Sequence, residues 1–365
     1  MNNDHLITRI AAIKAAHPGN LMARHFSAEY YASLTPEEQE SFTAVIRSGL
    51  ENPDSQMGAY AMSGEDYDRF APQLEPMIRD YHNIAPDTPI LQTHDWGRGG
   101  EPCDLSTIDP SLSDASMRVR VARNAADFPL PGAMSQADRV AFEDRMVEVF
   151  QSLIDHPAFG GRYLSLTPGS PHEIDEQEYT RRVAAHQMFK DMSADAYLNA
   201  AGISGHWPHG RGIYISEAED FLVWVGEEDH LRIMAMQRGS NLDALFIRLQ
   251  FGLAKIQKLA PAFATSPRFG AVTSCPTNIG TGMRASLHLK LPNLTSNGTD
   301  LATLKTHAKR LKLSIRGIGG EHTDAGADGL VDISPSARLG VTEREIMQAI
   351  YDGVAELWKL ETADT

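Results

Sequence analysis

The chain has 365 residues, 42% of them hydrophobic and 22% charged, and a formal net charge of -15 at pH 7. Such a negative charge argues against a protein that coats nucleic acid or binds an anionic membrane, and the length predicts two domains. No basic start followed by an apolar run opens the chain, and no stretch approaches the roughly 18 apolar residues of a membrane helix. Because Cys103 and Cys275 cannot make a disulfide framework, we expect a cytoplasmic protein. We also expect it to be a monomer or a homodimer.

Residues 1–95 are predicted to form a small helical domain. One helix begins after Thr35, which caps it, with a proline as the first helical residue and acids in the first turn. Another begins at Ser63 and continues through Tyr81. The loop between these two helices contains turn residues and two large side chains, and its simplest interpretation is a plain connection.

Glycine and proline concentrate in the stretch that follows, which predicts an interdomain linker at residues 96–113. The sequence then changes to short alternating strands separated by well-capped helices, so residues 114–365 are predicted to form a second, larger domain. Its three clearest helices begin after the capping residues Ser135, Asn241 and Thr342.

The segment from Cys275 to Pro292, CPTNIGTGMRASLHLKLP, joins a turn rich in glycine and hydroxyls to an alternating strand. The alternation predicts a half-buried strand with a polar, basic open face. Nearby positive charge and hydroxyl donors favour a thiolate at Cys275 over a thiol, although most single cysteines are inert core residues. Residues 280–285 also fit G-x-G-x-x-A, but that dinucleotide pattern requires a following helix, and here a strand follows.

Five arginines occur on the polar face or at the end of four separate predicted strands: Arg118, Arg120, Arg232, Arg284 and Arg316. The ordinary alternative is an exposed sheet face that carries charge for solubility. In so acidic a chain, however, guanidinium groups gathered on one sheet indicate a local site for several phosphates, because each offers planar, permanently charged donors.

Acidic residues form a second group. Glu227, Glu228 and Asp229 end one strand, and Glu321 lies in a loop with five glycines at residues 317–329, which predicts a lid. Arginines for phosphates together with acids for a cation are what a phosphoryl-transfer site needs. The P-loop pattern and the H-R-D and D-F-G elements of protein kinases are absent, and no H-E-x-x-H or C-x-x-C predicts a zinc site.

These residues resemble the motifs of the phosphagen (ATP:guanidino) kinases. The segment from Cys275 to Pro292 resembles the signature of that family, and residues 224–232, WVGEEDHLR, resemble its W-V-N-E-E-D-H-L-R block. Ser116 to Arg120 are similar to its S-x-R-V-R element, and residues 207–214 and 331–334 also fit. The likeness extends from about residue 35 to the carboxyl terminus.

The resemblance implies an α+β fold, with a small all-α N-terminal domain and a larger domain whose antiparallel β-sheet is flanked by helices, a glutamine synthetase-like catalytic domain. Mg-ATP would lie on the sheet, and a guanidino compound would lie between the domains. The nucleotide would be held by Ser116, Arg118, Arg120, His186, Arg232, Arg284 and Arg316.

The resemblance assigns the remaining chemistry to acids and one thiol. Glu228 and Glu321 would bind the guanidinium of the substrate, and Cys275 would contact one of its nitrogens. Magnesium would have no direct protein ligand, and Glu227 and Asp229 would hold its waters. A guanidinium has a pKa above about 12 and is a poor nucleophile until one nitrogen loses its proton. Because an ordinary carboxylate is a weak base, the paired carboxylates would align the guanidinium more than deprotonate it. Orientation alone can supply about 7–11 kcal/mol.

The implied reaction is reversible transfer of the γ-phosphoryl group of ATP to free L-arginine, which gives phosphoarginine and ADP. Glu321 followed by His322 resembles the arginine kinases, and so do residues 55–60, SQMGAY, which we call the specificity loop. Substrate binding is therefore assigned to Ser55, Gln56, Met57, Gly58 and Tyr60, together with Glu228, Cys275 and Glu321.

Departures from the family pattern concern the tail of the substrate. Gln56 replaces a glycine, Gly226 an asparagine and Gly319 an arginine, while Gly282 matches creatine kinases better. Taurocyamine is therefore a rival substrate, and Tyr60 could equally be a packing aromatic. Bacterial protein-arginine kinases share the catalytic signature but lack the small helical domain. A silent nucleotide-binding scaffold would not need Glu228, Cys275 and Glu321.

Overall fold

The computed structural model describes residues 3–97, 103–317 and 326–363. Six helices precede the first strand: α1 (Asn3–Ala16), α2 (Leu21–His25), α3 (Ala28–Ser33), α4 (Pro36–Glu51), α5 (Asp66–Arg69) and α6 (Ala71–His82). The later helices are α7 (Gln136–Ile154), α8 (Glu176–Ala184), α9 (Ala196–Ala200), α10 (Leu242–Leu259), α11 (Ala302–Arg310) and α12 (Glu343–Thr362). None of the helices in these ranges combines the length and the apolar character needed to cross a bilayer.

The described ranges contain ten strands, all of them between α6 and α12: β1 (Ala115–Arg123), β2 (Arg162–Ser165), β3 (Gly212–Ile215), β4 (Phe221–Val225), β5 (Leu231–Gly239), β6 (Thr265–Ser266), β7 (Gly270–Ala271), β8 (Met283–Lys290), β9 (Leu313–Gly317) and β10 (Leu330–Pro335). Eight of them form one sheet in the order β2-β3-β4-β5-β1-β8-β10-β9, and every neighbouring pair is antiparallel. The predicted α+β class with an antiparallel sheet is confirmed.

The predicted helix starts are confirmed where a capping side chain is present. Thr35 accepts from the backbone N–H of Glu38, whose carboxylate accepts from the N–H of Thr35, so both donors at the start of α4 are satisfied. Ser135 and Thr342 make the same reciprocal arrangement at α7 and α12.

The helix predicted from Ser63 through Tyr81 is wrong as a single element. The structure has two helices here, α5 and α6, which meet at Phe70. Pro72 lies in the first turn of α6, and a proline at that place cannot continue a preceding helix because it lacks an N–H and its ring collides with the carbonyl four residues earlier. Asp66 accepts from the N–H groups of Met62 and Ser63 and so organises the turn before α5.

One face of the eight-stranded sheet is apolar and packed against helices, and the other is polar on the central strands but apolar toward β2, where Ile213, Leu222 and Met234 are buried. Helices α7, α10 and α12 supply buried side chains such as Phe142, Leu249 and Ile350 to the same core as Val119 and Leu287 of the sheet. On the central strands the alternate residues point to the opposite face, where the arginines lie. The packed face therefore fixes the strands whose other face carries the candidate site.

The helical domain packs against the loop that contains Cys275. Its core, built from side chains such as Phe42, Phe70 and Met77, also includes Phe269 and Cys275 from the larger domain. The predicted boundaries at residues 95 and 114 stay predictions, since residues 98–102 of the linker lie outside the described ranges. The contact places Cys275 where the two domains meet.

Candidate functional site

Strand register brings the predicted arginines onto one polar surface. Arg120 of β1 lies directly opposite Arg284 of β8, and Arg232 lies beside β1 on its other side. Arg316 of β9 is opposite Asp332 of β10, two strands further along. Like charges opposite each other are destabilising in a sheet, so this arrangement needs an anion to offset it.

Two of these arginines have no protein partner in the parts of the chain that the structure describes. Neither the Arg118 nor the Arg120 side chain donates a hydrogen bond or forms an ion pair there. Burial is the main cause that lowers the pKa of Arg120 well below its usual value, and the charges of Arg232, Arg118 and Arg284 add to it. Guanidinium groups held partly buried and without partners are prepared to bind an anion such as a phosphate.

Arg232 and Arg284 are only partly neutralised. Arg232 forms an ion pair of 2.9 Å with Glu227 and one of 3.5 Å with Glu228. Arg284 donates to the hydroxyl of Ser334 at 3.0 Å and lies 3.6 Å from the carboxylate of Asp332. Burial and the neighbouring Arg316 lower the pKa of Arg284 to about 10, so it remains charged at neutral pH.

Arg338 is a further member of this group that the sequence interpretation missed. It lines one cavity together with Arg120, Arg232, Arg284 and Asn278, and its side chain donates to the carbonyl of Thr277 at 3.3 Å. It follows β10 in a loop, so a search for arginines at strand spacing could not find it. We call Arg118, Arg120, Arg232, Arg284, Arg316 and Arg338 the arginine cluster.

Glu228 and Cys275 lie beside the arginine cluster. Asn278, which lines the arginine cavity, donates to Glu228 at 3.3 Å. Burial raises the pKa of Glu228, and the carboxylates of Asp229 and Glu227 raise it further. Burial chiefly raises the pKa of Cys275 and of Tyr60, and the charge of Glu228 adds to both shifts. Tyr60 also packs against the core that includes Cys275.

The predicted thiolate at Cys275 is wrong. The side chain is only 5% exposed, and burial, followed by the charge of Glu228, raises the pKa of its thiol to about 12. Thr277 donates a hydrogen bond to the sulfur at 3.1 Å, but this contact is too weak to offset the burial. The arginines that were expected to favour the thiolate lie on the sheet, whereas an acid is the charged neighbour of the sulfur.

Asp229 has a geometry different from that of Glu227. It is 3% exposed, and one of its oxygens accepts from the side chain of Asn124 and from the backbone N–H of Ser274, both at 2.7 Å. These bonds fix the segment before Cys275 to Asn124, the residue that follows strand β1. A role for Asp229 in holding magnesium waters stays a prediction, and the contacts favour a positioning role.

The predicted specificity loop is divided between core and cleft. Ser55 is buried and accepts from the N–H of Gly58 at 3.0 Å, and Met57 belongs to the core of the helical domain. Gln56 is exposed. Tyr60 is the loop side chain that lies near Cys275 and Glu228. The side chains of Ser55 and Met57 therefore shape the loop, and Tyr60 reaches the site.

The remaining predicted residues lie around the same sheet face or outside the described ranges. Ser116 is opposite His288 in the sheet, on the side of Arg118 and Arg120. His186 is exposed in the turn after α8. Burial chiefly lowers the pKa of His288, and the charges of Arg118 and His186 add to this shift. Glu321, His322 and Gly319 fall in residues 318–325, which lie outside the described residues.

Larger cavities lie elsewhere in the described residues, two of them in the helical domain. Cavities of about 620 Å³ and 660 Å³ are lined by residues of the helical domain, among them Asn20, Gln56 and Arg79. We place the site at the smaller arginine-lined cavity because the unpartnered Arg120 lines it and because Asn278, which also lines it, donates to Glu228, a carboxylate with a raised pKa. Within the described ranges, no three His, Cys, Asp or Glu side chains group closely enough to hold a metal ion.

Gly280 shapes the turn between Cys275 and Arg284, and its replacement is a test of that turn. Its φ is +97°, and an added Cβ would lie 2.2 Å from the carbonyl oxygen of Arg338. We expect Gly280→Ala to lower the free energy of unfolding by about 2–4 kcal/mol, measured by urea denaturation, because backbone strain and a collision add.

Gly340→Ala is the matched control for Gly280→Ala. Gly340 also has a positive φ, +74°, but nothing lies within 4 Å of an added Cβ. In this variant the free energy of unfolding should fall only by the cost of the left-handed backbone, about 1–2 kcal/mol. Equal losses in the two variants would show that the carbonyl of Arg338 does not hold the turn as described.

A helical domain docked on an antiparallel sheet, with arginines on the open face and an acid and a thiol beside them, is the architecture of a phosphotransferase. The chain belongs to the ATP:guanido phosphotransferase family: residues 141–364 match its C-terminal catalytic domain and residues 17–79 match its N-terminal domain. The resemblance found in the sequence is confirmed, and the protein is an ATP:guanidino phosphotransferase.

Individual relatives support this assignment. A probable arginine kinase from Caenorhabditis elegans is 38% identical over 354 residues, which cover 96% of this chain and 94% of that protein. An arginine kinase from Drosophila melanogaster is 36% identical over 356 residues, 96% of this chain and 95% of that one. The solved substrate-free duplicated taurocyamine kinase from Schistosoma mansoni is similar with a TM-score of 0.82 and 28% identity over 98% of this chain, which spans about half, 49%, of that duplicated protein.

Proposed function

We propose that this enzyme transfers the γ-phosphoryl group of ATP reversibly to the guanidino group of free L-arginine, giving phosphoarginine and ADP. The observation that carries the proposal is the arginine cluster beside Glu228, Cys275 and Tyr60. Relatives at 36–38% identity over almost the whole chain are named arginine kinases, which supports arginine as the substrate.

The arginine cluster binds the phosphates of the nucleotide in this proposal. Arg118, Arg120, Arg232, Arg284 and Arg316 hold the triphosphate, while Ser116 and His186 lie along the same sheet face. As charge moves from the γ-phosphoryl group to ADP, fixed guanidinium groups stabilise it without having to reorganise. Arg338, which lines the same cavity as Arg284, extends this positive surface toward the acceptor.

Glu228 and Cys275 orient the guanidinium of the acceptor. A carboxylate accepts two parallel N–H bonds from a guanidinium, and Glu321 is the second carboxylate assigned to this task from the sequence. Because burial raises the pKa of Glu228, the free enzyme binds a proton there near neutral pH more readily than an ordinary glutamate. An arriving guanidinium favours the ionised carboxylate and releases that proton, and the resulting ion pair then holds one nitrogen in line with the γ-phosphoryl group.

Magnesium fits the acidic side of the arginine cluster. Glu227 lies 2.9 Å from Arg232, at the place where phosphates and their metal would meet the protein, and a carboxylate there suits hydrated magnesium, which keeps several of its waters. When bound, the ion neutralises charge on the phosphates. We propose that Glu227 contacts it through water and that Asp229 acts chiefly through Asn124 and Ser274.

The enzyme acts in the cytoplasm in this proposal, since two cysteines in 365 residues cannot make a disulfide framework. It needs neither nucleic acid nor a membrane partner, and it works as a monomer or homodimer. Tyr60 of the specificity loop would contact the amino acid end of arginine. Gln56, where a glycine was expected from the resemblance, keeps taurocyamine as the second candidate.

A coupled assay of ADP release tests the substrate. With Mg-ATP, the purified enzyme should turn over L-arginine at least about tenfold faster, by kcat/KM, than taurocyamine, creatine or an arginine-containing peptide, because Tyr60 and the loop recognise the tail as well as the guanidine. Preference for taurocyamine would assign the alternative. Turnover of the peptide alone would indicate a protein-arginine kinase, and turnover of none would contradict the proposed function.

A further inference from the structure

The backbone carbonyls of residues 273–277, the segment that carries Cys275, all accept hydrogen bonds, three of them from distant parts of the chain. Tyr67 donates its hydroxyl to the carbonyl of Thr273 at 2.8 Å. The N–H of Ala61 donates to the carbonyl of Ser274 at 2.8 Å. A ring nitrogen of His82, Nε2, lies 3.0 Å from the carbonyl of Pro276. All three donors belong to the helical domain, so the segment is held from across the domain contact.

The other carbonyls of the same segment are held from the larger domain. The carbonyl of Cys275 accepts from the hydroxyl of Thr273 at 2.7 Å and from the N–H of Asn278 at 3.0 Å. The carbonyl of Thr277 accepts from Arg338. Five consecutive carbonyls, 273–277, are thus each engaged, and with them the path of the backbone around Cys275 is set.

His82 has the chemistry of a permanent donor in this arrangement. A carbonyl oxygen only accepts, so the nitrogen of His82 that faces Pro276 carries the proton. Burial, with the charge of Arg338 contributing, lowers the pKa of His82 to about 4, so the ring is neutral throughout the working pH range. His82 lies at the end of α6, and its ring makes a T-shaped contact with that of Tyr81. In the described residues it shares no hydrogen bond with the arginine cluster.

We propose that His82 is a positioning residue. Its hydrogen bond from the helical domain fixes the backbone at Cys275 and Asn278, and this backbone determines where the guanidino nitrogen of the acceptor is held. The proposal rests on the role of Cys275 given under the proposed function. His82 touches the carbonyl between these two residues, whereas Tyr67 and Ala61 fix the approach to Cys275 from the other side. Loss of the His82 hydrogen bond should displace the acceptor without weakening the binding of the nucleotide.

Two replacements of His82 separate its hydrogen bond from its bulk. His82→Leu fills the space but cannot donate, and we expect kcat for the guanidino substrate to fall at least about tenfold, since a displacement of about 1 Å can cost 10²-fold. The dissociation constant for Mg-ADP should change less than about twofold. His82→Gln retains an N–H donor and should recover most of the lost kcat.

The rate at which iodoacetamide modifies each cysteine, followed by peptide mass spectrometry, gives a readout that needs no activity. Cys275 and Cys103 are both buried, 5% and 0% exposed, so Cys103 is an internal reference for general opening. In His82→Leu, we expect the Cys275 rate to rise about fivefold or more relative to Cys103. Because this ratio does not depend on the substrate, it distinguishes failure of this proposal from failure of the proposed function.

Asn52→Ala is the matched control. It removes another contact between the domains, from the Asn52 side chain to the carbonyl of Ala196 at 3.1 Å, away from Cys275, and should leave kcat and the cysteine ratio unchanged. If His82→Leu changes only thermal stability, as Asn52→Ala does, the proposal is overturned. If His82→Leu does not fold, Tyr67→Phe, which removes one hydroxyl from the same carbonyl row, decides: a raised Cys275 ratio supports the proposal, and an unchanged ratio overturns it.

Discussion

Replacing Glu228 by glutamine is expected to lower kcat for L-arginine by at least about 10²-fold while changing the affinity for Mg-ADP less than about twofold. Glutamine has nearly the same shape and can still accept one hydrogen bond from Asn278. It cannot carry the negative charge that pairs with a guanidinium. Steady-state kinetics and equilibrium titration of Mg-ADP measure the two effects separately.

The same variant should be more stable than the wild type in alkaline solution. Burial raises the pKa of Glu228 in the folded protein, so its contribution to stability is fully present below the ordinary pKa of a glutamate and is lost as the pH rises through the raised value. Glutamine does not ionise and avoids this loss. We expect the thermal midpoints of the two proteins to agree near pH 4 and the variant to unfold at the higher temperature near pH 9.

Glu143→Gln is the control for both effects of Glu228→Gln. Glu143 is also buried with a raised pKa, but it accepts from Tyr163 and Ser165, away from the arginine cluster. Its replacement should alter stability and leave kcat unchanged. A Glu228→Gln enzyme that retains wild-type kcat, or that loses Mg-ADP affinity in proportion to kcat, would show that Glu228 does not act on the acceptor.

Replacing Arg284 by methionine is expected to lower kcat by about 10³-fold, the lower end of what an arginine on a transferring phosphoryl group contributes, and to weaken Mg-ADP at least about tenfold. Arg284 lies opposite Arg120 and within the field of Arg316 and Arg338. Removing one of several like charges relieves repulsion, so the ligand-free variant should unfold at the same temperature as the wild type or a higher one. Kinetics, nucleotide titration and thermal unfolding give the three values.

Arg238→Met is the matched control for Arg284→Met. Arg238 is on strand β5 next to the arginine-bearing strand β1, but its side chain is 69% exposed and pairs with Asp114. Its loss should leave kcat and nucleotide affinity unchanged. If the two methionine variants behaved alike, the arginine cluster would be an ordinary charged sheet face.

Much of the fold follows from local rules that the sequence expresses directly. Thr35, Ser135 and Thr342 start helices because each side chain satisfies backbone donors that the helix leaves free. Alternation placed Arg120 and Arg284 on the polar side of their strands, since side chains in a strand alternate between faces. That they face each other depends on strand register, which no single strand reveals.

The parts that the sequence did not predict depend on contacts between distant segments. Arg338 enters the site from a loop, so no periodic pattern marks it. The pKa of Cys275 depends on its burial between two domains and on the nearby charge of Glu228, neither of which is visible in the residues next to it. The hydrogen bonds of Tyr67 and His82 to the same segment cross about 200 residues of sequence, and only the folded chain brings them together.

We propose that the arginine cluster binds the nucleotide, whereas Glu228 and Cys275 orient the acceptor. Mg-ADP affinity and kcat for L-arginine, measured side by side in the wild type, Glu228→Gln and Arg284→Met, test it most directly. We predict that Glu228→Gln loses kcat at unchanged affinity and that Arg284→Met loses both. Parallel loss of both quantities in the two variants, or no loss in either, would contradict the claim.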